Sequence, residues 1–169
     1  MKLKSKWALV PLAALTAVGL YAGNVFATPA GGQSTTTLGK ALAADPVNLF
    51  GHAKQPGGGW RARLHTHGFS DFYVIDNKFT PGGTSGWHSH PGPSLIFVVA
   101  GQITNYLGND PSCTPHVYSA GQSFTDEGGA DVHMLRNNGR VDAETIAVQF
   151  LQKDATRRID MPDPGNCHF

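Results

Sequence analysis

Cysteine, charge and helical periodicity are all scarce in this chain, and each scarcity removes a class of protein. Two cysteines in 169 residues leave no Cys-x-x-Cys pair, so the chain has no thiolate framework for structural zinc. Only 15% of residues are charged, the net charge is +1 with histidine neutral, and no basic run of five or more occurs. Nucleic acid and acidic lipid surfaces are therefore not expected partners. There is no Gly-x-Ser-x-Gly elbow to present a nucleophilic serine. The glycines at 57–59 lack the lysine and following helix of a phosphate-binding loop. What the chain does have is 21 glycines, a composition that suits a loop-rich β protein, and a length that fits one domain.

The N-terminus reads MKLKSKWALVPLAALTAVGLYAGNVFATPA. Lys2, Lys4 and Lys6 precede an apolar run, and Val25-Phe26-Ala27 or Thr28-Pro29-Ala30 then offers small residues. That order predicts a secretory signal peptide over residues 1–30, cleaved near 27 or 30. The stretch is nearly long enough for a membrane anchor, but Pro11, Gly19 and Asn24 make it a poor span, so no stable membrane insertion is expected after cleavage. No cysteine for lipid attachment and no Arg-Arg pair lie nearby. The expected location is periplasmic or secreted, where Cys113 and Cys167 sit in an oxidising compartment and an even count favours a disulfide. That bridge would tie a tail, 156–169, to the middle of the chain.

Residues 31–59 are expected to be a flexible leader with one short helix. AGGQSTTT is small and polar, and TLGKALAADPVNL spaces Leu38, Leu42 and Val47 at helical intervals, ending before Pro46. From Trp60 the pattern changes to short alternating runs cut by Gly, Pro and Asn. Strands are predicted over Trp60–His67, Asp71–Phe79, Ser85–His90, Ser94–Val99, Gln102–Leu107, His116–Tyr118, Gln122–Thr125, Val132–Arg136 and Thr145–Leu151. Many short strands at such intervals argue for an all-β sandwich or barrel over 60–155.

His88 and His90 are two residues apart on a predicted strand, so both point to one face with Ser89 turned away. Two imidazoles about 7 Å apart along a strand can converge on one ion when the strand curves. The spacing alone is a weak signal, since His65-Thr66-His67 repeats it. That second pair either supports the site from behind or forms an outward polar face. Trp87 faces opposite to the histidines and is expected outside the barrel. Phe97, Val99, Phe124, Leu135 and Phe150 are candidates for the apolar pocket wall.

The surroundings of His88 are specific: Gly82-x5-His88-x-His90-x3-Ser94-x6-Gly101, then Gly121-x5-Glu127-x-Gly129-x3-His133-x3-Asn137. These stretches resemble the paired motifs of the cupin superfamily, G-x5-H-x-H-x3,4-E-x6-G and G-x5-P-x-G-x2-H-x3-N. Two departures stand out. Ser94 occupies the glutamate position, and Glu127 occupies the proline position, with one extra residue before His133.

The resemblance implies an all-β, double-stranded β-helix, the cupin jelly-roll barrel, with a short N-terminal helix. It implies one divalent transition metal (Fe, Zn, Mn, Ni or Cu) held by His88, His90 and His133, with Ser94 facing the ion. An all-imidazole site keeps the full charge of the ion and favours anionic or chelating oxygen ligands. Glu127 or Asp131 either replaces the missing carboxylate or is a solvated residue of a Gly-rich turn. The function implied is an exported metalloprotein acting on a small-molecule substrate, dioxygenase-like or of isomerase or lyase type. A binding or sensing barrel without turnover is the alternative. Cupins often pair through their sheets, which makes a homodimer one implied arrangement.

Overall fold

A computed structural model describes residues 27–55 and 58–169. Among them are twelve strands: β1 (Gly31–Ala43), β2 (Asn48–Gln55), β3 (Gly58–His65), β4 (Ser70–Thr84), β5 (His88–Ser89), β6 (Ser94–Ala100), β7 (Gln102–Leu107), β8 (His116–Ser119), β9 (Ser123–Asp126), β10 (His133–Arg136), β11 (Ala143–Gln152) and β12 (Ile159–Asp160). One half of the barrel runs β1–β4–β11–β6–β9 and the other β8–β7–β10–β5–β12. Every pairing is antiparallel. The halves join where Arg136 of β10 pairs with Thr84 at the end of the long β4.

Period-two alternation places the core. On β6, Ser94, Ile96 and Val98 are buried while Leu95, Phe97 and Val99 are exposed. On β11, Ala143, Thr145, Ala147, Gln149 and Leu151 face inward. These faces enclose Ile75, Phe79, Ile103, Phe124 and Leu135, each worth roughly 1.5–3 kcal/mol of burial. Of the expected pocket wall, Phe124 and Leu135 are inside. Phe97 and Val99 are not, and Phe150 is only half-buried. The correction follows from the pleat: if Ser94 faces in, its partners on that face are 96 and 98, never 97 and 99.

Trp87 packs outside the barrel interior, as its parity requires, but is itself 2% exposed. It forms a second apolar cluster with Tyr106, Met134 and Cys167. The Cys113–Cys167 disulfide holds the C-terminal tail over this cluster. Asn166 donates from Nδ2 to the carbonyls of Leu107 (2.9 Å) and Asp110 (2.6 Å). Residues 27–30 close the same region: Thr28 Oγ1 accepts from the Trp87 amide at 2.7 Å, and Ala27 pairs with Pro162.

The N-terminal expectations need correction. No helix forms at Leu38–Val47; Gly31–Ala43 is strand β1, paired with β4 from Gly31↔Thr84 to Ala43↔Ser70. Leu38 and Leu42 are 59% and 50% exposed, so their spacing marks no buried helical stripe. The long free edge of β4 offers backbone partners that override the helix preference of Leu and Ala, and Lys40 pairs with Asp71 at 3.0 Å. Nor is 48–59 a leader: β2 and β3 form a hairpin separate from the barrel sheet. The predicted signal segment lies outside the described residues except for 27–30.

Two glycines explain motif positions that side chains would spoil. Gly101, in the tight β6–β7 turn, has φ +66°, and a Cβ there would strike the backbone of Asp142 and Ala143. Gly82 stands next to the last residue of the second motif: its amide donates to the Asn137 carbonyl at 2.9 Å. Asn137 is wholly buried and its Nδ2 donates to the carbonyls of Phe79 (3.0 Å) and Val141 (2.8 Å). Both motif ends therefore serve the turn that joins the two halves.

Candidate metal centre

His88 of β5 lies directly across from His133 of β10, and His90 follows on the same face as His88. All three are at least 94% shielded from solvent, with exposures of 4%, 6% and 3% for His88, His90 and His133. One ring nitrogen from each lies within 4.8 Å of the others. Two tautomers are set by the backbone. His88 Nδ1 donates to the Gly86 carbonyl at 2.9 Å, and His90 Nδ1 donates to the Arg157 carbonyl at 2.8 Å. Because a carbonyl only accepts, each Nδ1 carries the proton and each Nε2 presents a lone pair. This is the usual orienting arrangement for a metal-ligating imidazole.

The donors are also kept unprotonated. Burial pushes His133 down to about 3, with His90 and Arg158 adding to the effect. Burial likewise drives His88 well below its ordinary value, reinforced by His133 and Arg158. His90 is lowered by burial too, against the raising effect of its bond to Arg157 and of Asp126.

A carboxylate, that of Asp126, lies beside the imidazoles. Its Oδ2 lies 3.7 Å from His133 Nε2 and 3.8 Å from His90 Nε2. Asp126 is paired with Ser94 in the β6–β9 register, so the acid sits one strand over from the motif's glutamate position. Burial raises its carboxyl, opposed by a hydrogen bond from the Gly128 amide (2.9 Å to Oδ1) and by His90.

Of the two alternatives for Glu127 and Asp131, their exposure agrees with solvated residues of a Gly-rich turn. Glu127 is exposed and points away; Asp131 is only half-buried and makes no side-chain ion pair among the described residues. Asp126 was legible in one respect: Phe124 faces inward, and two residues further along β9 returns to that face.

The site fits a metal ion. Asp126 Oδ2 and His133 Nε2 are buried without a hydrogen-bond partner, a costly arrangement unless another group satisfies them. A divalent cation accepted by three imidazole nitrogens, with a carboxylate beside them, would do so.

A cavity of about 260 Å³ opens beside the histidines, lined also by Ser94, Ile96, Leu135, Thr145 and Ala147. Its rim includes Gln33 and Thr35 of β1, both bonded to Asn77 Oδ1 at 3.1 and 2.8 Å. Arg157 and Arg158, from the segment expected to be only a tail, line it as well. Gln149 connects these parts: Nε2 donates to Ser94 Oγ at 3.3 Å, and Oε1 accepts from Arg157 at 3.3 Å. Sequence reasoning did not single out β1, Gln149 or the two arginines. The pair His65 and His67 is exposed and takes no part, consistent with an outward polar face.

A jelly-roll barrel closed around three inward imidazoles defines a double-stranded β-helix with a histidine-lined interior. Residues 77–149 match the family model described as cupin domain. No curated protein sequence matches it. Among solved structures, an oxalate oxidase aligns at 23% identity over 53% of this chain and 45% of its own, with a TM-score of 0.45. The polyketide cyclase RemF from Streptomyces resistomycificus aligns at 17% identity, covering 55% of this chain and 64% of its own, TM-score 0.45. A protein with a double-stranded β-helix domain from Klebsiella pneumoniae subsp. pneumoniae aligns at 16%, covering 70% and 86%, TM-score 0.45. The chain thus spans about half the length of the oxalate oxidase it matches.

Proposed function

We propose that the chain is an exported, single-domain cupin metalloprotein that acts on a small molecule, with one divalent transition metal held by His88, His90 and His133. The observation that carries this reading is the convergence of three buried imidazoles beside two unsatisfied polar atoms, His133 Nε2 and Asp126 Oδ2. When bound, such an ion supplies Lewis acidity and open positions for an oxygen ligand. The protein's own residues do the rest. The carbonyls of Gly86 and Arg157 orient His88 and His90. Asp126 offsets one unit of positive charge, which restores a hard donor and suits manganese and iron as well as zinc, nickel and copper. Ile96, Leu135 and Ala147 make the apolar part of the cavity wall and limit water there.

Export is supported by the order of charge and apolar residues at the N-terminus and by the disulfide, which persists in oxidising compartments.

A second reading, a binding or sensing barrel without turnover, is favoured by one observation. Asp126 does not line the cavity, so the one carboxylate at the centre among the described residues does not touch a ligand there as a general base would. Two measurements separate the readings. Metal analysis of protein purified from its natural compartment is expected to show near-stoichiometric transition metal; traces only would overturn the metalloprotein reading. Oxygen uptake by the iron-loaded protein with catechols, flavonols and diketones, and product analysis with the zinc- or manganese-loaded protein, are expected to show turnover. Ligand binding without product under all these loadings favours the binding barrel.

A further inference from the structure

The cavity beside the three histidines carries more positive charge than its own acids offset. Arg157 is half-buried and forms no ion pair among the described residues. Of its five N–H donors, one is engaged, by the neutral Gln149 Oε1 at 3.3 Å. Burial lowers its pKa from the ordinary guanidinium value, and the neighbouring Arg158 adds to this by repulsion. Arg158 is fixed in place: Nε donates to Asp160 Oδ1 at 2.6 Å, and Nη2 donates to the Ser85 carbonyl at 2.6 Å. Its remaining donors are free among the described residues. Both guanidiniums line the same cavity as His88, His90 and His133. A further polar atom on that wall, Thr145 Oγ1, is fully buried and lacks a partner.

We propose that Arg157 and Arg158 form an anion-binding end of this cavity, so that the ligand is a small organic acid held through its carboxylate. The proposal rests on the cavity being a ligand site, as in the preceding section, and names the chemistry that it selects. In a half-buried wall a guanidinium without a counter-charge, as at Arg157, is unfavourable, and the donors that Arg157 and Arg158 do not spend on Gln149, Asp160 and Ser85 are left unmet. A planar carboxylate satisfies them through paired N–H···O bonds. A neutral sugar or hydrocarbon would leave the charges unmet. The apolar lining, with Ile96, Leu135 and Ala147, provides for a carbon skeleton, which inorganic phosphate lacks. A volume of about 260 Å³ limits that skeleton to one below the usual drug-sized range of roughly 300–1,000 Å³.

Arg157 is tied to the centre twice, since its carbonyl holds His90 while its side chain faces the cavity. Substitution of the side chain leaves that carbonyl bond in place. The test is calorimetric titration of the full protein, metal-free and zinc-loaded, with acetate, malonate and succinate. Malonamide and inorganic phosphate serve as comparators, and metal content is measured on every sample.

At least one acid is expected to bind the metal-free protein, malonamide not to bind, and Arg157→Gln to weaken the acid by at least about tenfold. Arg157→Lys should recover part of that loss, because charge remains while the paired geometry does not. Equal affinity in wild type, Arg157→Gln and the Arg157→Gln/Arg158→Gln double variant overturns the proposal, as does phosphate binding more tightly than every carboxylate. Arg157→Lys keeps the test valid if Arg157→Gln misfolds. Loss of metal binding with arginine-dependent acid binding intact would overturn the metalloprotein reading and leave this one standing. The converse pattern would do the opposite.

Discussion

Ser94 on β6 and Asp126 on β9 are cross-strand partners, and the second brings beside the imidazoles a carboxylate that the first lacks. Both are buried, with Asp126 Oδ2 3.7 Å from His133 Nε2. Exchange of side chains between neighbouring strands at one level of a sheet is geometrically cheap, because facing residues lie about 4.5–5.5 Å apart. Asp126→Asn is expected to lower metal affinity by about 10–100-fold while leaving the fold intact. Ser94→Glu in the Asp126→Ala background is expected to recover much of the loss. Competition titration with a chelator measures both, and unchanged affinity in Asp126→Asn would mean that the carboxylate does not serve the ion.

The metal-free protein is expected to lose stability in mild acid. His133 titrates at about 3 in the fold, below the ordinary value of about 6.5. The unfolded chain therefore takes up the proton first, and stability is complete above pH 6.5 and falls as pH drops toward 3. The slope is roughly 1.4 kcal/mol per pH unit for this one histidine, and His88 and His90 act in the same direction. Asp126, whose carboxyl is raised, protonates earlier in the fold than in the unfolded chain and offsets part of the loss. Thermal melts of metal-free protein at pH 7.5, 6 and 5 check this; a constant melting temperature contradicts it.

Reduction of Cys113–Cys167, which closes a loop of 54 residues in sequence separation, is expected to cost about 2–4 kcal/mol of stability. The tail also covers Trp87, the residue before His88. Metal affinity is therefore expected to fall with the melting temperature in Cys113→Ser/Cys167→Ser. Chelator competition on reduced and oxidised protein reads the two effects together.

Gly128 has φ +74°, and a Cβ there would meet the backbone of Gly92. Its amide also caps Asp126 at 2.9 Å. Gly128→Ala is expected to cost about 1–3 kcal/mol and to weaken metal binding by displacing Asp126. Gly129→Ala, also at positive φ but with open space around it, is expected to share the backbone cost and retain the metal. Equal metal loss in both variants would show that the close approach to Gly92 is irrelevant.

Of the two expected cleavage points, the one after Ala27 keeps Thr28, whose hydroxyl accepts from the Trp87 amide and whose own amide donates to Met161 at 3.0 Å. Cleavage after Ala30 would remove both bonds. Mass spectrometry of the mature protein is expected to give Thr28 as the first residue, and a start at Gly31 would contradict this.

The barrel strands and the three histidines could be read from local pattern, because alternation and turn residues act within a few positions. Ser94–Ala100 and Gln102–Leu107 match their expected spans closely for that reason. β1 could not be read so, since its partners on β4 lie far along the chain, from Ala43↔Ser70 to Gly31↔Thr84, and its Leu and Ala residues locally favour helix. The β2–β3 hairpin was half-seen: β3 carries alternation from Trp60, whereas β2 contains His52 and Lys54 among its apolar residues.

The imidazole triad was legible in the chain itself, since His88 and His90 stand two residues apart and His133 falls at the histidine position of the second motif-like stretch. Those spacings are local, and a single strand or turn enforces them. The charge of the site is not local. Asp126 belongs to it only because β9 pairs with β6, and Arg157 and Arg158 belong only because the segment after β11 folds back over the mouth of the barrel, where the His90 ring holds the Arg157 carbonyl. Long-range strand pairing and chain return decide which charges face the imidazoles and the cavity, and no spacing along the sequence carries that information.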